Sequence, residues 1–122
     1  MRGEPFHNGI VDQARNIFVR HRWEVYTEYR YQYHGITTYL DIYAIRNGEE
    51  IGCEVETTSR HILDNAVKAA GASINLWIIV PSRKLHRYAK RIIATSNIPG
   101  ISMTKVLLPD QLERELSENE RK

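Results

Sequence analysis

A chain of 122 residues, 42% of them hydrophobic and 26% charged, is long enough for one buried core and too short for two, so a single domain over residues 1–122 is expected. One cysteine excludes an internal disulfide, five scattered histidines without a Cys-x-x-Cys pair argue against structural zinc, and no apolar run reaches membrane-spanning length. A formal charge of +2 leaves nucleic-acid binding to be argued from the distribution of charge, and the polar start Met1-Arg2-Gly3-Glu4 points to a soluble, cytoplasmic protein with no membrane partner.

The first helix is expected from an Asn8 cap to about His21, with Ile10, Val11, Ala14, Ile17 and Phe18 as its apolar stripe and Arg15 and Arg20 on its other face. Residues 23–33 alternate Val25, Thr27, Tyr29, Tyr31 and Tyr33 against Glu24, Tyr26, Glu28, Arg30 and Gln32, the pattern of a half-buried strand. A His34-Gly35 turn leads to a second strand over 39–45. Asn47-Gly48 has hairpin chemistry, and residues 51–57 return as a third strand.

Thr58 or Ser59 is placed to cap a second helix that buries Ile62, Leu63, Ala66, Val67 and Ala70 and ends near Gly71. The continuous apolar run at 76–80, stopped by Pro81, predicts a strand covered on both faces. Ser82 caps a third helix with Leu85, Tyr88, Ala89, Ile92 and Ile93 inward, and Asn97-Ile98-Pro99-Gly100 ends it. A last strand over 101–108 precedes a short charged helix, expected to fray, with capping-box logic between Asp110 and Glu113.

Chemistry concentrates on the second and third strands. Glu54 and Glu56 point to one face, about 7 Å apart along the backbone, and the hairpin brings Asp41 toward them. Carboxylates held that close repel one another and raise each other's pKa unless something cationic or protonic relieves them, and a divalent cation would do so. The same pattern also fits the solvated face of an amphipathic hairpin whose apolar side is Ile51, Cys53 and Val55. Oxygen donors without cysteine or histidine suit magnesium or manganese, with the Val55 main-chain carbonyl as an extra ligand.

The order α-β-β-β-α-β-α-β-α, with an acidic residue on the second strand and an acidic pair on the third, resembles the restriction-endonuclease-like or PD-(D/E)XK nuclease superfamily, and is similar in size to its small Holliday-junction resolvase members. The resemblance implies a three-layer α/β fold with a mixed central sheet flanked by helices. It implies metal-dependent hydrolysis of DNA phosphodiesters by Asp41, Glu54 and Glu56, with branched or junction DNA as substrate and a homodimer as the assembly. Asp41 and Glu54 take the place of the metal ligands, and Glu56 stands where the superfamily usually has a lysine. A lysine orients water or stabilises developing charge, whereas a glutamate acts as base or further ligand. Lys68 on the second helix is a candidate for a migrated cation. Asp12-Gln13 or Glu28 would have to replace the glutamate that resolvase-like members carry on the first helix.

Arg83, Lys84, Arg87, Lys90 and Arg91, with Arg15, Arg20 and Arg22, are candidates for phosphate contacts, and His61 for one beside the site. The tyrosines of the first strands pack the sheet or stack on bases. A nuclease-like domain that has lost catalysis with its lysine, and binds nucleic acid or a protein, is the alternative reading.

Overall fold

The computed structural model describes residues 5–101 and 104–120. Nine elements follow in order: α1 (Pro5–Arg20), β1 (Glu24–Tyr33), β2 (Ile36–Arg46), β3 (Glu49–Val55), α2 (Ile62–Gly71), β4 (Leu76–Ile79), α3 (Arg83–Thr95), β5 (Lys105–Leu107) and α4 (Pro109–Glu120). The five strands form one mixed sheet in sequential order. β1, β2 and β3 are an antiparallel meander, and β3, β4 and β5 run parallel, joined by α2 and α3.

The meander turns where turn chemistry demands it. His34-Gly35 and Asn47-Gly48 both take positive φ (50° and 77°, 52° and 81°), the two-residue geometry that matches strand twist. Two clusters of buried side chains make the core, one on each face. Ile10, Ala14, Ile17 and Phe18 of α1 and Leu112 and Leu116 of α4 meet Ile42, Ala44, Ile51, Cys53, Val55, Trp77 and Ile79 on one side. Ile62, Ala66 and Ala69 of α2 and Ala89 and Ile93 of α3 meet Leu40, Leu76, Ile78, Val80 and Val106 on the other. Alternate residues of β4 thus feed both clusters, which is why its sequence is continuously apolar.

Several local expectations are corrected. Asn8 lies inside α1, which already includes Pro5, and its Oδ1 faces His7 Nδ1 at 3.2 Å instead of capping. Thr58 Oγ1 accepts the Arg60 amide in a short turn (3.4 Å), so α2 starts later, at Ile62 behind His61 with no side-chain cap. Its inner face includes Asn65, while Leu63 is 40% exposed. Ser82 does cap α3, accepting the Leu85 amide (3.2 Å), but Tyr88 is 40% exposed. β5 shrinks to three residues because Ile101 closes a turn with Ile98 and Thr104; positions 102 and 103 of the expected strand lie outside the described residues. At α4, Gln111 Oε1 reaches back to the Leu108 amide (2.8 Å), and Glu113 bonds Arg20 and His21, so the expected Asp110–Glu113 box is replaced.

The strand alternation expected for β1 also breaks. In the register, Glu28 would oppose Asp41, yet that rung is missing from the ladder and Glu28 has φ +50°. The faces change at that point. Val25 packs with the α1/α4 cluster, but Tyr29 and Tyr31, of the same parity, pack with the α2/α3 cluster; Ile42 and Leu40 part in the same way. A positive φ at a non-glycine residue in a strand is uncommon, and such distortions re-aim neighbouring side chains.

Two features of this frame give expected outcomes. Gly52, paired with Tyr43 and Leu76, has no room for a side chain, since a Cβ would lie 2.9 Å from both Leu40 Cδ1 and Ile74 Cγ2. Gly52→Ala is expected to cost about 1–3 kcal/mol by overpacking, read by urea denaturation. The second concerns the ion cluster that ties α4 to α1. His21 Nε2 bonds Glu113, and Nδ1 bonds Glu120 at 2.7 Å. Burial alone lowers the basicity of the imidazole, but the bonds and charges of Glu113 and Glu120 outweigh it and raise the His21 pKa above its ordinary value of 6.5. Glu113, through His21 and then Arg20, and Glu120, through His21 first, are held below the usual 4.5. The histidine's contribution is present below pH 6.5 and lost as pH rises through its raised value; the glutamates' is present above 4.5 and lost as pH falls through their lowered values. The cluster therefore holds α4 best between about pH 4.5 and 6.5. Thermal melts should show stability falling as pH rises above 6.5, through the raised His21 value, a slope that His21→Gln removes.

Candidate active site at the carboxyl ends of the parallel strands

The β2–β3 register pairs Ile42 with Cys53, so the next positions on each strand are Asp41 and Glu54. Here the ladder gives way to a side-chain contact. Val55 N–H donates to Asp41 Oδ2 at 2.8 Å, which seats the aspartate against the peptide between the two glutamates. His7, on α1, donates to the same oxygen from Nε2 at 3.3 Å. Asp41 is 13% exposed at its side chain, and Glu54 and Glu56 are 3% and 4% exposed, so all three carboxylates are withdrawn from water, unlike a solvated hairpin face.

Glu56 continues the line of β3, its amide bonded to Ile79 O at 2.9 Å, and its carboxylate accepts the amide of Asn65 on the inner face of α2. Tyr31 closes another side. Burial and then the nearby Glu54 charge push its hydroxyl up to about 12, against a hydrogen bond to Thr38. Burial, helped by Glu54 and Asp41, also pushes the Cys53 thiol well above its usual range, so the lone cysteine is a neutral core residue.

These groups lie at the carboxyl ends of β3 and β4, where Glu54 is paired with Ile78 and Val55 with Ile79. Both α2 and α3 begin at this end of the sheet. Arg83, Lys84 and Arg87 therefore stand at its rim, whereas Lys90 and Arg91 lie further along α3; all five are exposed. His61 is exposed just before α2. Other candidates are not brought to the cluster. Lys68 pairs with Asp64 one turn earlier on α2 (3.3 Å). Arg20 is held by Glu113 at the far end of α1, and Arg15 faces Asn16 on its exposed side. Arg22, Asp12 and Gln13 are exposed, and Glu28 is exposed opposite Asp41.

Two members of the cluster escape sequence reasoning. His7 lies ahead of the expected helix start and so looks like a stray residue. Asn65 carries a legible signal, a polar residue within the stripe Ile62, Ala66, Ala69, but its partner Glu56 is visible only in three dimensions.

The superfamily resemblance implies a divalent cation, and the donor set bears on that. Among the described residues, no three His, Cys, Asp or Glu side chains form a ready-made cage. What the site offers is the part-buried carboxylate of Asp41, the buried one of Glu54, and the Val55 carbonyl on the same segment. Such a sparse oxygen set fits magnesium, which keeps several waters and shares its coordination with phosphate rather than needing an all-protein cage.

No family model matches the chain, and no curated protein sequence matches it. Solved structures do. An fdxN element excision controlling factor protein from Anabaena variabilis superposes with a TM-score of 0.57 at 18% identity, over 89% of this chain and 95% of that one. An XisH family protein from Nostoc punctiforme gives 0.52 at 16% identity, over 84% and 94%. The fold is restriction-endonuclease-like. A protein of unknown function, AF1548, gives 0.57 at 15% identity over 91% of this chain, which spans 66% of its length. The mixed five-stranded sheet between α1/α4 and α2/α3 is the three-layer architecture expected from the sequence. No helix among the described residues is long and apolar enough to cross a membrane.

Proposed function

We propose that the chain is a metal-dependent endonuclease that hydrolyses DNA phosphodiesters, with Asp41, Glu54 and Glu56 at its centre and branched DNA among its substrates. The observation that carries this reading is the bond from the Val55 amide to Asp41 Oδ2. It joins two distant acidic motifs into one buried oxygen-rich group at the carboxyl end of parallel strands, where open α/β sheets place their sites.

Asp41 and Glu54 would hold the cation, with the Val55 carbonyl as a further donor. A bound magnesium or manganese ion would supply positive charge to the phosphate and acidity to a coordinated water. The protein's own part is positional. The Val55 and His7 hydrogen bonds fix the Asp41 carboxylate, and the Asn65 amide orients the Glu56 carboxylate, which would act as the base toward water. The amino-terminal ends of α2 and α3, with Arg83, Lys84 and Arg87, favour phosphate at this end of the sheet. The likeness to a protein named as an element excision controlling factor agrees with DNA as the ligand. A homodimer would present two such sites to two strands.

Glu56 bonded to Asn65 where a lysine is usual, with Lys68 bonded to Asp64, favours one other reading, a silent nuclease-like domain that binds without cutting. Labelled four-way junction, duplex and single-stranded DNA, incubated with magnesium, manganese or EDTA, separate the two. Cleavage that needs metal supports the enzyme; intact DNA that is bound with or without metal supports the silent domain.

A further inference from the structure

A second cleft lies at the opposite end of β3 from the carboxylate cluster, with a volume of about 340 Å³, lined among others by Tyr43, Glu50, Gly52, Ala72 and Ser73. Tyr43 belongs to an aromatic stack. Its ring lies on that of Tyr29, with centroids 4.0 Å apart and planes at 21°, and Tyr26 packs beside both at 6.3 and 6.4 Å. The face switch at Glu28 creates this stack, because it brings Tyr29 to the side of the sheet that holds Tyr43.

The stack is framed by negative charge. The Tyr43 hydroxyl donates to Glu50 at 2.7 Å and that of Tyr26 donates to Glu24, so both carboxylates are held at the rims of the rings. The Glu50 bond, ahead of burial, pushes the Tyr43 hydroxyl up to about 12, so it stays a neutral donor. α2 ends at the same cleft through Ala72 and Ser73, and a helix carboxyl end carries partial negative charge. Among the described residues, no cationic side chain lines it. Arg46, further along β2, is drawn to Glu120 of α4.

From this we infer that the cleft binds an arginine side chain of a partner polypeptide, stacked on the Tyr43 wall and paired with Glu50. A planar guanidinium satisfies both demands, facing an aromatic ring while its N–H groups meet a carboxylate, which a lysine ammonium does less well. Free arginine brings its own carboxylate into a lining that has no cation to receive it, and a nucleic acid brings phosphates to the same acidic rim. Charge complementarity therefore selects an arginine within a polypeptide. The inference is independent of the reading of Asp41.

The test uses the full chain, titrated by NMR and calorimetry with a capped Arg-Gly repeat peptide, the same peptide with lysine or citrulline, and free arginine. The Arg-Gly peptide is expected to bind and to shift resonances of residues 43, 50 and 72–75. Glu50→Gln and Tyr43→Leu should each weaken it by about tenfold, whereas Tyr43→Phe, which keeps the ring, should weaken it less. Circular dichroism melts establish that each variant is folded. Equal binding of the lysine or citrulline peptide, free arginine binding as well as the peptide, shifts confined to the Glu54 end, or an affinity untouched by Glu50→Gln would each overturn the assignment.

Discussion

In the Asp41→Asn variant, metal-dependent DNA cleavage is expected to fall by at least about a hundredfold, the loss of several kcal/mol of transition-state charge stabilisation, while the melting temperature stays near that of the wild type. The two effects separate because asparagine keeps a side-chain oxygen for the Val55 N–H and the His7 ring but loses the charge. Asp41→Ala differs in kind. It also leaves the Val55 amide without its acceptor, and an orphaned buried donor costs about 1–3 kcal/mol of stability. Single-turnover cleavage in magnesium or manganese, calorimetric titration with manganese and a thermal melt on both variants give the comparison. An asparagine variant that cleaves at the wild-type rate would remove Asp41 from the chemistry and leave it only a structural role.

The largest stability effect is expected at Trp77. Its indole is 2% exposed in the middle of the α1/α4 face, 6.3 Å from the Phe18 ring, with the Lys105 ammonium 5.3 Å from its own. Trp77→Ala should cost about 3–5 kcal/mol, transfer and cavity together. Trp77→Phe should cost less than about half of that, for a second reason besides volume: the Trp77 Nε1 is buried with no hydrogen-bond partner among the described residues, and phenylalanine removes that polar group. Urea denaturation followed by circular dichroism reads both. A Trp77→Ala loss under about 1 kcal/mol would mean that this face collapses around the vacancy rather than holding a cavity.

The two variants probe different layers of one design. Trp77 and its neighbours hold β3 and β4 side by side, and that pairing puts Glu54 beside Ile78 and the Glu56 amide on Ile79. A weakened core acts on activity through stability alone, whereas the Asp41→Asn change acts on activity with stability intact.

Local chemistry was enough for much of this protein. Asn47-Gly48 makes its turn wherever two strands meet, because only such residues take positive φ cheaply; Ser82 caps α3 with its own hydroxyl; the apolar run at 76–80 has to be buried on both sides. That Asp41 lies beside the segment carrying Glu54 and Glu56 was legible too, since one hairpin separates them and its turn sets the register. Tertiary structure decided what depends on distant partners. His7 reaches Asp41 across 34 positions, Asn65 finds Glu56 only when α2 lies on the sheet, Arg20 is turned from a phosphate candidate into a tie to Glu113, and β1 changes face at Glu28 against its own alternation. Propensity and periodicity describe a residue and its near neighbours. Which oxygen a given nitrogen meets is set by how the layers pack, and no local pattern contains that distance.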